Sequence, residues 1–243
     1  MQGGRAVPTV AKSAISVARS KIGFKPMQAL QKRACVPLAD PVAQPEAFYA
    51  GLRLVAIDGS HFEIPAEPDN AAELGYPGSR RGQASYPQVL CVVLAECATH
   101  AILGAHLGPY RAPEWDLCKP LLARLTPQML CLADRGFNGY VHWKAAAATG
   151  AQLLWRCRIN RQLPVVKLLP DGSYLSVIYP EPKSRRTRQG EMVVRVIEYC
   201  LPGVEPAQQR YRLLSTLLVS RPISFETNES DAFVRQARRK PQP

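Results

Sequence analysis

Two short apolar runs, each closed by an aspartate and then a glycine, organise the pattern of hydrophobic and polar positions along the chain. The first run lies in Leu52–Phe62, LRLVAIDGSHF, and ends at Asp58. The second lies in Met129–Phe137, MLCLADRGF, and ends at Asp134. Apolar runs of this length before a breaker predict buried β-strands. Because an unpaired carboxylate in an apolar site is costly, we expect both aspartates at the open ends of their strands.

The rest of the central pattern predicts an antiparallel meander followed by strands that helices connect. The predicted elements are strands over Gln88–Glu96 and Ala101–Leu107, helices over Glu114–Arg124 and Val141–Thr149, and a strand over Gln152–Arg158. With the two strands that carry the aspartates, the order becomes β-β-β-α-β-α-β. This order is typical of an α/β fold in which later strands run parallel and helices cross between them.

Changes in the hydrophobic pattern predict four regions. Residues 1–50 have apolar positions at helical spacing and are expected to be a partial N-terminal helical region. Residues 51–159 form the α/β core, and residues 160–218, with alternating apolar and polar positions, form a β-rich insertion. Its predicted strands are Pro164–Leu169, Ser173–Ile178, Met192–Leu201 and Tyr211–Leu218. Residues 219–243 hold few apolar positions, which predicts a divergent, disordered tail.

The charge of the chain bears on its partners. Its 243 residues carry a formal net charge of +12, with a sequence pI near 9.6. Such an excess favours a polyanionic partner, and nucleic acid comes ahead of a membrane surface because no amphipathic basic helix dominates. The alternative is a basic surface without a committed partner. No apolar run reaches the ~18 residues of a membrane span, and no secretory signal pattern is visible.

Cysteines, histidines and glycines are not arranged as sites of their own. The seven cysteines form no C-x-x-C pair, so we expect reduced core residues of a cytoplasmic protein. The four histidines lack the spacing of a zinc site. His61 is close enough in sequence to Asp58 to contact a ligand residue there, and an exposed surface position is the alternative that the sequence favours. No glycine-rich loop with Lys-Ser/Thr is present, so ATP binding has no support.

The two aspartates together predict a divalent metal site. Hard cations such as Mg²⁺ prefer oxygen ligands, and one or two carboxylates plus substrate phosphates can hold them. Two such ions roughly 3.5–4 Å apart can activate a water or a 3′-hydroxyl and stabilise the leaving oxygen of a phosphodiester. Usually a third carboxylate completes the site. The alternative is that each aspartate merely caps the turn that follows its strand.

Exposed basic residues near glycines and aromatics form the candidate nucleic-acid surface. The segment GYPGSRRGQASY supplies two arginines, and Lys183–Arg188, KSRRTR, is predicted to be an exposed basic loop. The candidate nucleic-acid-binding residues are Arg80, Arg81, Arg135, Lys183, Arg185, Arg186 and Arg188. A plain solvated loop is the alternative for each segment.

These segments resemble the DDE transposases of the IS4 type. The resemblance is collinear over Ala11–Leu218 and is carried by LVAIDGSHF, GYPGSRRGQASYPQV, ILGAHLGPYRAPEWDL, MLCLADRGFNGY, LLWRCR, LLPDGSYLS, VRVIEY and YRLLSTLL. It implies an RNase H-like mixed sheet with a β-rich insertion. It also implies that Asp58 and Asp134 are the first and second catalytic acids, which bind Mg²⁺ or Mn²⁺. The reaction implied is DNA cleavage and strand transfer at the inverted-repeat ends of a transposon, by a chain that can act as a homodimer. The location implied is a cytoplasm of bacterial type, in association with the nucleoid.

The chain departs from the family after Leu218. The family continues into a helix with the signature Y-x2-R-x3-E-x6-K, whose Glu is the third metal ligand, and that register is absent here. We assign the role to none of the remaining candidates, which are Glu191, Glu198, Glu226 and Glu229. The expectation is a truncated transposase without its last catalytic helix, inactive in transposition. The alternatives are a non-catalytic DNA-binding remnant or regulator, and a relic with no function.

Overall fold

A computed structural model describes residues 10–79, 82–200 and 210–219. The chain divides into two compact units, Met1–Val36 and Pro37–Pro243. The first unit contains two helices, α1 (Lys12–Ile22) and α2 (Phe24–Ala34), with no buried residue in either. Gly23 separates them at φ +73°, a left-handed conformation that glycine adopts without a steric penalty. The helical character predicted for the N-terminal region is confirmed for these residues.

The second unit contains all the described strands and four further helices. The strands are β1 (Phe48–Tyr49), β2 (Leu52–Glu63), β3 (Gly78–Ser79), β4 (Gly82–Gln83), β5 (Gln88–Glu96), β6 (Ile102–Pro109), β7 (Met129–Ala133), β8 (Gln152–Cys157), β9 (Lys167–Leu168), β10 (Tyr174–Ile178), β11 (Met192–Cys200) and β12 (Arg210–Ser215). The helices are α3 (Pro68–Leu74), α4 (Glu114–Cys118), α5 (Tyr140–Ala147) and α6 (Ser184–Thr187), and 3₁₀ turns cover Pro45–Ala47 and Lys119–Arg124.

Ten of these strands form one mixed sheet. The strand order is β6-β5-β2-β7-β8-β12-β11-β10-β9, and β1 pairs with the start of β2. Strand β7 runs parallel to both β2 and β8, whereas the other pairings are antiparallel. Strands β3 and β4 form a separate ribbon. The fold is therefore mixed α/β with a large, mostly antiparallel sheet. This agrees with the predicted α/β class and its mixed sheet.

The predicted β-rich region is continuous with the rest of the sheet. Strand β12 pairs with β8 in register Leu214↔Trp155, and β11, β10 and β9 follow outward. The predicted region boundaries, at residues 50, 159 and 218, stay predictions.

Alternate residues of the strands build one main core. Val55 and Ile57 of β2 and Trp155 of β8 are buried, and the β5 positions Leu90, Val92 and Leu94 follow the same two-residue period. The helical segments after β6 and β7 cover this face with Cys118, Leu121, Leu122, Trp143 and Ala146. Packing against these helices holds β2, which contains Asp58, and β7, which Asp134 follows.

The predicted end of β2 is wrong. The strand does not stop at Asp58 but continues to Glu63, although Gly59 follows the apolar run. The reason is that β5 supplies an antiparallel partner along this whole length, with Gly59 opposite Val92. A neighbouring strand therefore outweighs the local breaker.

Three further predicted elements need correction. The helix expected over Glu114–Arg124 is α4 followed by a 3₁₀ turn, because Pro120 lacks the N–H that a continuous helix needs. The basic segment Lys183–Arg188 is not simply a loop, since α6 occupies Ser184–Thr187. The strand expected over Pro164–Leu169 is reduced to Lys167–Leu168 at the sheet edge, where only β10 is available as a partner among the described strands.

Candidate active site

Asp58 and Asp134 occupy matching positions on neighbouring parallel strands. The last parallel pair between β2 and β7 is Ile57↔Ala133, and each aspartate is the next residue of its chain segment. Because adjacent strands lie about 4.8 Å apart, the two carboxylates emerge side by side. The structure thus brings the two predicted residues together at one edge of the parallel strands.

Each aspartate is held in the same way by the backbone that follows it. Asp58 Oδ1 accepts a hydrogen bond from the amide of Gly59 at 2.9 Å, and Asp134 Oδ1 accepts one from the amide of Gly136 at 2.6 Å. Both side chains are exposed. No cation among the described residues pairs with either carboxylate. One oxygen of each carboxylate is therefore fixed, while the other is available.

Glu114, which the sequence did not single out, lies against both aspartate-bearing segments. It is the first residue of α4, directly after Pro113. A Cβ atom added at Gly59 would overlap Glu114 Oε1, and one added at Gly136 would lie 3.5 Å from Glu114 Oε2 and 2.9 Å from Asp134 Oδ1. The two glycines thus leave the space into which the Glu114 carboxylate fits.

The electrostatic surroundings of Glu114 are unfavourable for a bare carboxylate. Partial burial raises its pKa, the charges of Asp134 and Asp58 raise it further, and His61 acts in the opposite direction. Among the described residues none donates a hydrogen bond to this carboxylate. In the sequence, Glu114 is marked only by the proline that precedes it, and a proline before an acidic residue indicates the start of a helix, not a functional site.

The donor set fits a hard divalent cation. All three side chains offer carboxylate oxygens, the ligands that Mg²⁺ and Mn²⁺ prefer, and Gly59 and Gly136 keep the space beside them open. In the part of the chain that the structure describes, no three His, Cys, Asp or Glu side chains are already gathered closely enough to hold an ion. The side chains of Asp58 and Asp134 are exposed, so they can turn toward Glu114 without displacing the core.

A basic cleft adjoins Asp134. We give this name to the space of about 410 Å³ between the ends of β7 and β8, lined by Arg135, Asn138, His142, Arg158, Asn160 and Arg161 among others. Arg161 donates to Asn138 Oδ1 at 2.6 Å, whereas Arg135 and Arg158 pair with no described acidic residue. His142 Nδ1 donates to the carbonyl of Phe137 at 3.1 Å. The cleft therefore presents two uncompensated guanidinium groups next to the candidate site.

The other predicted basic residues are dispersed. Lys183 pairs with Glu181 at 2.9 Å, and Arg185 lines a separate hollow of about 290 Å³. Arg186 is exposed on α6, and Arg188 makes two hydrogen bonds to Glu191, at 2.8 and 2.9 Å. Arg80 and Arg81 lie outside the described residues. Of the predicted basic set, the structure brings only Arg135 among the described members next to the aspartates.

The glutamates weighed as a third acid do not reach this site where they are described. Glu191 accepts from Arg188 and from the hydroxyl of Tyr179 at 2.5 Å. Glu198 accepts from Arg212 at 2.8 Å and from Tyr174 at 3.2 Å. Glu226 and Glu229 lie outside the described residues.

The chain is related in sequence to the IS4-type transposases, as its motifs predicted. Transposase InsG for insertion sequence element IS4, from Escherichia coli strain K12, is 26% identical over 201 residues, which cover 81% of this chain and 45% of InsG. Putative transposase InsZ from the same strain is 30% identical over 129 residues, 53% of this chain and 43% of InsZ. The chain thus spans less than half the length of either relative. No protein-family model matches it.

Among solved structures, a piggyBac transposase synaptic complex with hairpin DNA is 14% identical with a TM-score of 0.37. The match covers 73% of this chain and 35% of that chain. A likeness this weak does not establish a shared fold. None of the helices in the described ranges is both long and apolar enough to cross a bilayer.

Proposed function

We propose that this chain carries the catalytic core of a DNA transposase, which cleaves DNA and transfers strands at transposon ends with a divalent metal. The observation that carries the proposal is the side-by-side position of Asp58 and Asp134 after the pair Ile57↔Ala133. The sequence relationship to two transposases supports the reaction class. The antiparallel meander β2-β5-β6 beside the parallel strands β7 and β8 supports an RNase H-like sheet.

The residues of the chain divide the chemistry between them. Mg²⁺ or Mn²⁺, when bound, supplies the Lewis acidity that activates a water or 3′-hydroxyl and stabilises the leaving oxygen. Asp58 and Asp134 hold that charge with the oxygens that the Gly59 and Gly136 amides leave available. The same amides fix one oxygen of each carboxylate, and the exposed side chains can still turn toward an ion. The chain thereby provides an anionic site beside which a phosphodiester could be held.

The basic cleft is the proposed path of the DNA backbone beside this site. Arg135 and Arg158 are not neutralised by described acidic residues, and arginine forks match the geometry of phosphate oxygens. The net charge of +12 supports a polyanionic partner in general. The homodimer on paired ends that the resemblance implied stays a prediction.

The test is metal-dependent cleavage of a DNA duplex that carries the inverted repeat neighbouring the gene. Contrary to the inactivity expected from the missing signature, wild-type protein with Mg²⁺ or Mn²⁺ should nick this duplex, and Asp58→Asn and Asp134→Asn should each abolish the product. Asp116→Asn, an exposed carboxylate of α4, is the matched control and should retain activity. Metal-dependent cleavage that persists in both site variants would refute the assignment.

A non-catalytic DNA-binding protein is the second candidate function. The observation that favours it is the basic cleft, which can bind a phosphate backbone without any metal. In that case DNA binding should weaken with salt, should be unchanged in Asp58→Asn, and should occur without cleavage under any metal. Cleavage by the wild-type protein would exclude it.

A further inference from the structure

We propose that Glu114 is a third metal-binding carboxylate of the Asp58–Asp134 site. The inference rests on the proposed function, because it concerns the metal of that same site. It departs from the family pattern, in which the third acid belongs to the Y-x2-R-x3-E-x6-K helix. Here the third carboxylate comes from α4, the helix that lies in sequence between the two aspartates.

The first argument is positional. Glu114 approaches Gly59 and Gly136, and these are the same two glycines whose amides hold Asp58 and Asp134. A side chain at Gly59 would overlap Glu114 Oε1, so the close approach depends on glycine there. The three carboxylates therefore come from three neighbouring segments, β2, the turn after β7 and the start of α4, and the exposed Asp58 and Asp134 side chains turn toward Glu114 to share an ion.

The second argument is the lack of any other partner for Glu114. Its carboxylate is half-buried, yet no described lysine, arginine or backbone amide donates to it. His61 acts to lower the pKa of Glu114, but its Nε2 lies 3.4 Å from the carbonyl of Tyr110 and makes no hydrogen bond to this carboxylate among the described contacts. A half-buried carboxylate beside two others is costly unless a proton or a cation compensates it, and a divalent cation compensates all three.

The neighbouring acid of the same helix shows what an ordinary surface carboxylate does. Asp116 is exposed and lies 3.8 Å from Lys119, one turn further along the chain. Both acids lie in the first turn, where negative charge suits the helix dipole, so a capping role would apply to either. Only Glu114 turns inward to the aspartates, which is the behaviour expected of a ligand.

The experiment measures Mn²⁺ binding to the full chain without DNA, by isothermal titration calorimetry and by the rise in melting temperature. Wild-type protein should bind Mn²⁺ and melt at a higher temperature with it. Glu114→Gln should weaken the affinity by at least about 10-fold, and Asp116→Asn should leave it unchanged. Without metal, Glu114→Gln should melt at the same or a higher temperature than wild type, because one of three repelling charges is gone. A purely structural role would lower that temperature.

Gly59→Ala provides a second variant that keeps all three carboxylates. Its new methyl group displaces the Glu114 side chain, so Mn²⁺ affinity should fall in this variant too. If Glu114→Gln and Gly59→Ala bind Mn²⁺ like wild type while Asp58→Asn and Asp134→Asn do not, the role of Glu114 is refuted and the proposed function stands. If wild-type protein binds no Mn²⁺ and no Mg²⁺, the proposed metal site itself fails.

Discussion

Glu96, the last residue of β5, holds the start of the second unit to the central sheet. Its side chain is 1% exposed and accepts hydrogen bonds from the amides of Leu38 at 3.2 Å and Ala39 at 2.9 Å. The Thr99 hydroxyl also donates to it, and Arg53 of β2 forms an ion pair with it. Replacing Glu96 with alanine removes four contacts at once, so the effect on folding should be large.

The magnitude follows from what the substitution leaves behind. Breaking a buried ion pair costs about 3–5 kcal/mol, because one charge stays without compensation. The Arg53 side chain is 19% exposed and also donates to the carbonyl of Ala39 at 3.1 Å, so water and this bond recover part of the loss. We therefore expect Glu96→Ala to lower the free energy of unfolding by about 3 kcal/mol. Against a typical stability of about 5–15 kcal/mol, this is a substantial fraction.

The assay is urea unfolding followed by tryptophan fluorescence at pH 7. Glu181→Ala is the matched control, since its carboxylate pairs with Lys183 at the surface and should contribute about 0–1 kcal/mol. A loss of less than about 1 kcal/mol in Glu96→Ala would refute the view that this buried network stabilises the unit.

The same network predicts a dependence on pH. Burial by itself raises the pKa of Glu96, but the hydrogen bonds from Thr99, the Ala39 amide, Arg53 and the Leu38 amide outweigh it and hold that pKa below its usual value. A lowered pKa in the folded state contributes stability at pH values above the unfolded pKa of about 4.3. That contribution should disappear as the pH falls through the lowered pKa. The difference in stability between wild type and Glu96→Gln should therefore shrink in acid, and a constant difference from pH 7 to pH 3 would contradict it.

Three further outcomes are expected. Trp155→Ala should cost about 3–5 kcal/mol in urea unfolding, because Trp155 is buried edge-on against Trp143 at 5.3 Å. Arg158→Glu should weaken DNA binding and reduce the slope of log affinity against log salt concentration by about 0.9. Lys167→Glu on the outer strand β9 should change neither quantity. Equal effects of the two substitutions would refute the role of the basic cleft. Gly59→Ala should change the free energy of unfolding by only ~1 kcal/mol, because the clashing atom ends a flexible side chain, and a larger loss would contradict that geometry.

Local pattern was sufficient to predict the strands that carry the aspartates. The apolar runs before Asp58 and Asp134 correspond to β2 and β7, and Gln88–Glu96 has the predicted bounds of β5. A strand that is buried in the sheet needs apolar side chains at successive positions, and this requirement can be read from a short stretch of sequence alone. The motifs also pointed to the transposase relationship, which the curated relatives confirm.

The hydrophobic pattern could not predict contacts between segments that are far apart in the sequence. Strand β2 continues past Gly59 because β5 pairs with it, and no residue near Gly59 in the sequence indicates that partner. Glu114 and Asp116 are both acids of the first turn of α4, but Glu114 faces the two aspartates and Asp116 does not. The packing of α4 against the sheet decides this difference. The basic cleft likewise combines Arg135 after β7 with Arg158 after β8.

The sequence alone therefore determined the strands, the two aspartates and the family to which the chain is related. The tertiary structure alone decided which residues stand beside those aspartates. The physical reason is that hydrophobic periodicity is a local property of the chain, whereas the neighbours of a side chain depend on strand register and helix packing between segments far apart in sequence.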